Sequence, residues 1–179
     1  MLLFVTGGAR SGKSTAALEA ARHSGRAVVF VATATVGDDE MADRIARHRD
    51  ERPAEWTTVE APRALADAIA DADPDACVVV DCLSLWVTNE LLADERLAVE
   101  QLDSMLDGVL AAARGRSGPT IVVSNEVGSG IVPANALSRS FRDLLGRANQ
   151  RTAAEADRAV LSVAGRLVEL GAPSETLRV

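Results

Sequence analysis

An α/β fold, with a mostly parallel sheet and helices on both of its faces, follows from three features of the sequence. Unbroken apolar runs, such as residues 27–32 and 77–80, have the character of strands buried on both sides. These runs alternate with segments whose apolar residues recur at helical spacing, the signature of successive β–α units. Between the first run and the first such segment, the sequence Gly-Gly-Ala-Arg-Ser-Gly-Lys-Ser fits the pattern G-x-x-x-x-G-K-[ST] in the strand–loop–helix setting that it requires. The chain of 179 residues, 47% of them hydrophobic, suits one compact domain over 1–179 with a full core.

The glycine-rich stretch makes this a P-loop NTPase fold. It comprises Gly7, Gly8, Ala9, Arg10, Ser11, Gly12, Lys13 and Ser14. Its glycines let successive backbone N–H groups turn inward around a phosphate, at a helix N-terminus whose dipole already favours an anion. Lys13 can then reach the outer phosphates of a nucleoside triphosphate, and Ser14 can ligate Mg²⁺. The alternative is a glycine-rich turn that binds nothing. A net charge of −7 argues against nucleic acid as a partner, since backbone phosphates call for a positive surface. Cys77 and Cys82 have neither metal-ligand spacing nor the density of a disulfide scaffold, which fits a reducing compartment. No charged-then-apolar leader is evident, and no apolar stretch approaches the roughly 18 residues that span a bilayer, so the expectation is a cytoplasmic protein without a membrane span.

The elements follow in order. Residues 2–5 form the first strand and 14–21 the first helix, which stops at Gly25; His23 near its end suits a capping role. Residues 27–32 are the next strand. Thr33 and Thr35 follow it, where open α/β sheets place their ligand crevice, and they are either site hydroxyls or turn residues. Residues 38–53 open with acids, carry Met41 and Ile45 as an apolar stripe and end at Pro53, which reads as a helix. At helical spacing Arg44, His48 and Arg52 share one side. Flanking cations disfavour protonation, so the expectation is a neutral His48 able to attack a phosphate that the arginines hold. The alternative is a solvated charged helix with an incidental histidine.

Residues 56–60 read as a short extended piece, in which Trp56 either packs on a helix or stacks on a base. Residues 62–72 read as a helix, and 77–80 as a buried strand ending at Asp81. An acid there fits the second metal-side position of P-loop proteins, because a buried carboxylate needs a cation or strong hydrogen bonds. Residues 82–92 and 96–114 read as helices and 120–124 as a buried strand. The loop 125–133, with two glycines, stands where a substrate loop is expected. A long helix over 135–156 has Leu137, Phe141, Leu144, Leu145 and Ala148 on its apolar face. Residues 158–165 form a last full strand, and the tail adds one more short strand.

These residues together resemble a known family. Besides the phosphate loop, the chain carries Asp38-Asp39-Glu40-Met41, Arg44-Ile45, His48-Arg49, Arg52-Pro53, Asp81-Cys82-Leu83, Val87-Thr88-Asn89, Ser124-Asn125-Glu126-Val127-Gly128, Gly130-Ile131-Val132-Pro133, Phe141-Arg142-Asp143, Gly146 and Asn149-Gln150. In this order they look like the bifunctional adenosylcobinamide kinase / adenosylcobinamide-phosphate guanylyltransferase family, over nearly the whole chain. Only the extreme C-terminus, residues 167–179, departs from the pattern.

The resemblance implies a RecA-like sheet and two reactions: ATP or GTP phosphorylates adenosylcobinamide, then GTP transfers GMP to that phosphate through a GMP-histidine intermediate. It implies His48 as the intermediate histidine. It implies nucleotide contacts at the phosphate loop, at Thr33, Ala34 and Thr35, at Arg49, Asp50, Glu51 and Arg52, and at Glu60 and Asp81, with Mg²⁺ on Ser14 and Asp81. It further implies a homo-oligomer such as a trimer, in which a neighbouring subunit can supply part of the site. The rival readings are a small-molecule kinase without a covalent intermediate and a nucleotide-dependent switch.

Overall fold

A computed structural model describes residues 1–35, 37, 42, 45–46, 48–49 and 52–176. Seven strands form one sheet: β1 (Leu2–Gly7), β2 (Val28–Ala32), β3 (Thr57–Glu60), β4 (Cys77–Asp81), β5 (Thr120–Asn125), β6 (Arg158–Val163) and β7 (Arg166–Glu169), in the spatial order β3-β2-β4-β5-β1-β6-β7. All neighbours run parallel except β6 and β7, which form an antiparallel hairpin; this is the short extra strand expected of the tail.

Strand alternation divides the core into two layers. On one face Leu2, Phe4, Val31, Val78, Val80 and Val122 pack against α2 (Leu65–Ala70), α3 (Leu83–Ala93), α4 (Val99–Arg114) and α5 (Ala136–Glu155). On the other, Val5, Phe30, Cys77, Val79, Ile121 and Val123 pack against Ala17, Leu18 and Ala21 of α1 (Lys13–His23). A last turn, α6 (Pro173–Thr176), follows the sheet.

The long helices fall where their periodicity predicts, within a few residues. α2 is shorter than the helix expected over 62–72, because its flanking carbonyls serve other elements. Asn89 donates to Pro62 O and Trp86 to Arg63 O, both at the start of that segment, and Arg116 donates to Ile69 O and Ala72 O at its end. Of the helix expected over 38–53, Ala42, Ile45, Ala46, His48 and Arg49 are helical; the acidic start and Arg44 lie outside the described residues. Asn135 caps α5, its side chain accepting from the Ser138 N–H at 2.7 Å.

Candidate active site

β1 delivers the phosphate loop to the carboxyl edge of the sheet, and the loop is held from behind. The carbonyl of Ser11 accepts from the Gly165 N–H at 2.8 Å and from the Ser162 hydroxyl at 2.9 Å, so the β6–β7 hairpin braces it. Gly12 sits in the left-handed region at φ 95°, and a Cβ there would come 3.1 Å from Gly165 Cα. At Gly7 a Cβ would meet Ser162 O at 2.5 Å. Lys13 is 8% exposed, with its ammonium donating to Gly8 O at 3.1 Å. No acidic residue stands in the first turn of α1, which leaves the helix N-terminus suited to an anion.

Asp81 ends β4, with only β5 between it and β1. Burial pushes its carboxyl above the usual carboxylate range; opposing this are the neighbouring His48, Lys13 and Arg52 side chains and a hydrogen bond with the Ser14 side chain. Ser14 and Asp81 thus bring two hard oxygen donors together beside Lys13, a donor set that fits Mg²⁺ sharing its remaining positions with phosphate and water. Among the described residues, no group of three or more His, Cys, Asp or Glu side chains forms an all-protein metal cage.

Beside this pair opens a cavity of about 300 Å³ at the carboxyl ends of β2, β3 and β4. Its walls bring together Ala34, Thr35, His48, Arg49, Arg52, Glu60 and Asp81 from the expected set. Ile45, Thr58 and Pro62 also line it, and the sequence offers no local sign of their part. Arg49 and Glu60 form an exposed ion pair at 3.8 Å. Arg52 lies 3.7 Å over the ring of Phe30 and donates to Thr58 Oγ1 at 3.4 Å. Asp50 and Glu51 lie outside the described residues.

Thr33 stands at the predicted strand end, but its side chain is fully buried. Its hydroxyl accepts from Cys82 N at 2.8 Å and donates to Cys82 O at 2.7 Å, clamping the ends of β2 and β4 together. Asn89 extends the clamp by donating to Thr33 O and Pro62 O, both at 2.8 Å. Burial and the neighbouring Asp81 charge push the Cys82 thiol up to about 11, so it is no nucleophile at neutral pH. Trp56 packs against the core layer beneath α1, with Arg22 5.8 Å from its ring. His23 donates from Nδ1 to Glu19 O at 2.8 Å, as a helix-end histidine should. The loop after β5 begins with a turn in which the Glu126 carboxylate accepts from the N–H groups of Gly128 and Ser129.

Comparison with known proteins places the chain among relatives. The family model described as cobinamide kinase / cobinamide phosphate guanyltransferase matches residues 3–170, ending near the point where the tail departs from the family pattern. The bifunctional adenosylcobalamin biosynthesis protein CobP of Pseudomonas aeruginosa is 45% identical over 162 residues, covering 90% of this chain and 92% of that protein. The CobU proteins of Salmonella typhimurium and Escherichia coli, described in the same words, are 43% and 42% identical over 92% of this chain and 97% of theirs. Among solved structures, the RadB recombinase superposes with a TM-score of 0.53 at 21% identity, covering 89% of this chain and 73% of that one. That likeness bears on the fold alone: a RecA-like sheet of the P-loop NTPase type.

Proposed function

The chain belongs to the cobinamide kinase / cobinamide phosphate guanyltransferase family, and from that premise we propose that one nucleotide crevice serves two successive transfers in building the nucleotide loop of cobalamin. In the first, Lys13 and the N–H groups of Gly7 to Ser14 hold the outer phosphates of ATP or GTP while the γ-phosphoryl group passes to the aminopropanol hydroxyl of adenosylcobinamide. Ser14 and Asp81 would hold Mg²⁺, which when bound offsets charge on the phosphate oxygens.

In the second reaction, His48 attacks the α-phosphorus of GTP. The N–P bond forms as the bond to the β-phosphate oxygen breaks, and pyrophosphate leaves. The acceptor phosphate then attacks the same phosphorus and the N–P bond breaks, giving adenosylcobinamide-GDP. Arg49 and Arg52 neutralise the α-phosphate oxygens, and a covalent step divides one hard displacement into two. Thr35, Ala34, Asp50, Glu51 and Glu60 complete the nucleotide contacts, and Thr33 supports them by clamping the ends of β2 and β4. The protein acts in the cytoplasm as a homo-oligomer such as a trimer.

The observation that carries this reading is a shared wall: His48 and Asp81 line one cavity, and Asp81 ends β4 with only β5 between it and the strand that carries the phosphate loop. Incubation with α-labelled GTP and Mg²⁺ tests it. Acid-labile label appears on the wild-type protein and is absent from His48→Ala, while phosphorylation of adenosylcobinamide persists in that variant. Label surviving in His48→Ala removes the histidine from the mechanism.

A further inference from the structure

β5 lies between β1, which carries the phosphate loop, and β4, which carries Asp81. Whatever fixes the end of β5 therefore fixes the spacing of the two. The register sets Gly7 opposite Asn125 and Asp81 opposite Val123, and the Glu126 N–H donates to Gly7 O at 3.0 Å. A continuous set of buried and half-buried hydrogen bonds gathers at this strand end. The Ser124 hydroxyl donates to Asn149 Oδ1 at 2.6 Å, and Asn149 Nδ2 donates to Asn125 O at 2.9 Å. Asn125 Nδ2 donates to the Ser84 hydroxyl at 3.0 Å, and Ser84 Oγ lies 2.9 Å from Cys82 Sγ, one residue from Asp81. Ser124 and Ser84 are 0% and 2% exposed and Asn149 is 9% exposed.

Asn149 is the only member of this set on α5, and it spends its acceptor on one residue of β5 and its donor on the next. On the helix it occupies the apolar side, one turn beyond Leu145 and beside Ala148, where an apolar residue would pack with no polar group to desolvate. A hydrogen-bonded amide there fixes direction as well as distance, which apolar packing does not.

We propose that Asn149 is a positioning residue that holds the end of β5, and through it the phosphate loop relative to Asp81, so that it sets how the nucleotide's metal is bound. The inference rests on the reading in which Ser14 and Asp81 hold Mg²⁺.

Asn149→Leu keeps the branch at Cγ and removes both hydrogen bonds. The measurement is binding of a fluorescent GTP analogue in EDTA and across a Mg²⁺ titration, with the kcat of phosphoryl transfer as a second readout. Affinity in EDTA stays within about twofold of wild type, the half-saturating Mg²⁺ concentration rises roughly fivefold, and kcat falls about tenfold, as expected of reacting groups displaced by a fraction of an ångström. A folded Asn149→Leu with wild-type Mg²⁺ dependence overturns the inference and leaves the metal reading standing. A wild-type protein whose nucleotide binding ignores Mg²⁺ overturns both. Should Asn149→Leu fail to fold, Ser124→Ala deletes one bond of the same set; a smaller shift in the same direction supports the inference, and none overturns it.

Discussion

The ammonium of Lys13 is hydrogen-bonded to the carbonyl oxygen of Gly8, 3.1 Å away, so the lysine is held over the loop it belongs to. An ammonium carries three donors, and a grip on Gly8 is compatible with a phosphate oxygen on the same group. Pre-placing the charge avoids ordering a four-carbon stem when the nucleotide arrives. Lys13→Ala is expected to lose about 1.5–3 kcal/mol of nucleotide affinity, roughly ten- to a hundredfold, and all turnover in both reactions. Lys13→Arg does not restore it, since a planar fork does not fit a site that leaves this side chain 8% exposed. Equilibrium binding, with a melting curve to show that the fold survives, checks both variants.

Phe30 belongs to the buried layer under α1, yet one face of its ring receives the Arg52 guanidinium at 3.7 Å. Such a contact is worth on the order of 1 kcal/mol and limits the directions in which the guanidinium can point. Phe30→Leu keeps an apolar side chain in the core and removes the platform. The expected result is a roughly fivefold loss of GTP affinity, with Arg52→Ala in the Phe30→Leu background adding less than it does alone. A double-mutant cycle on nucleotide binding measures the difference; strict additivity means that the ring does not hold Arg52.

The parts legible from sequence are those specified locally. Eight consecutive residues make the phosphate loop, and unbroken apolar runs of strand length bury most of their side chains, so β1, β2, β4 and β5 and the position of Asp81 follow directly. The crevice is different, because its walls are set by strand order. Thr58 and Pro62 reach it only because β3 pairs outside β2, a long-range choice that no local spacing encodes. Phe30 was unreadable for the opposite reason: strand periodicity assigns it to the core, and the core is where it is. Thr33 was placed correctly along the chain, but its hydroxyl turns inward to Cys82, and a position just past a strand does not say which way a side chain faces. Asn149 did leave a trace, a polar amide on the apolar side of a helix.

The Thr33–Cys82 clamp makes a prediction that separates a structural threonine from a nucleotide ligand. Thr33→Val is close to isosteric, and it leaves the buried Cys82 N–H without its acceptor, whereas Cys82 O keeps the Trp86 N–H at 3.2 Å. One orphaned donor costs about 1–3 kcal/mol. Chemical denaturation is expected to show that loss, with GTP affinity at low denaturant within about threefold of wild type, since the bond lost is not to nucleotide. A large affinity loss with little loss of stability would instead put the hydroxyl on the nucleotide.

The acid limit of stability is expected to involve the junction of α4 and α5. Arg147 meets Asp103 with Nη2 at 2.7 Å and Nε at 3.0 Å, Arg151 pairs with it at 3.1 Å, and Arg151 also bonds Asp107. The hydrogen bond from Arg147 is the main cause that holds the Asp103 carboxyl below the usual carboxylate range. A carboxylate whose folded pKa is depressed adds stability that is fully present above its unfolded value of about 4 and is lost as pH falls through the folded value. Asp103→Asn is therefore expected to lower Tm at pH 7 by about 2–4 °C, what roughly 1 kcal/mol amounts to in a domain of this size. The gap between variant and wild type should then close as pH falls below about 4. Melting curves from pH 7 to pH 3 check this, and a gap that stays constant over that range would show that the arginines hold α5 to α4 by packing their stems rather than by charge.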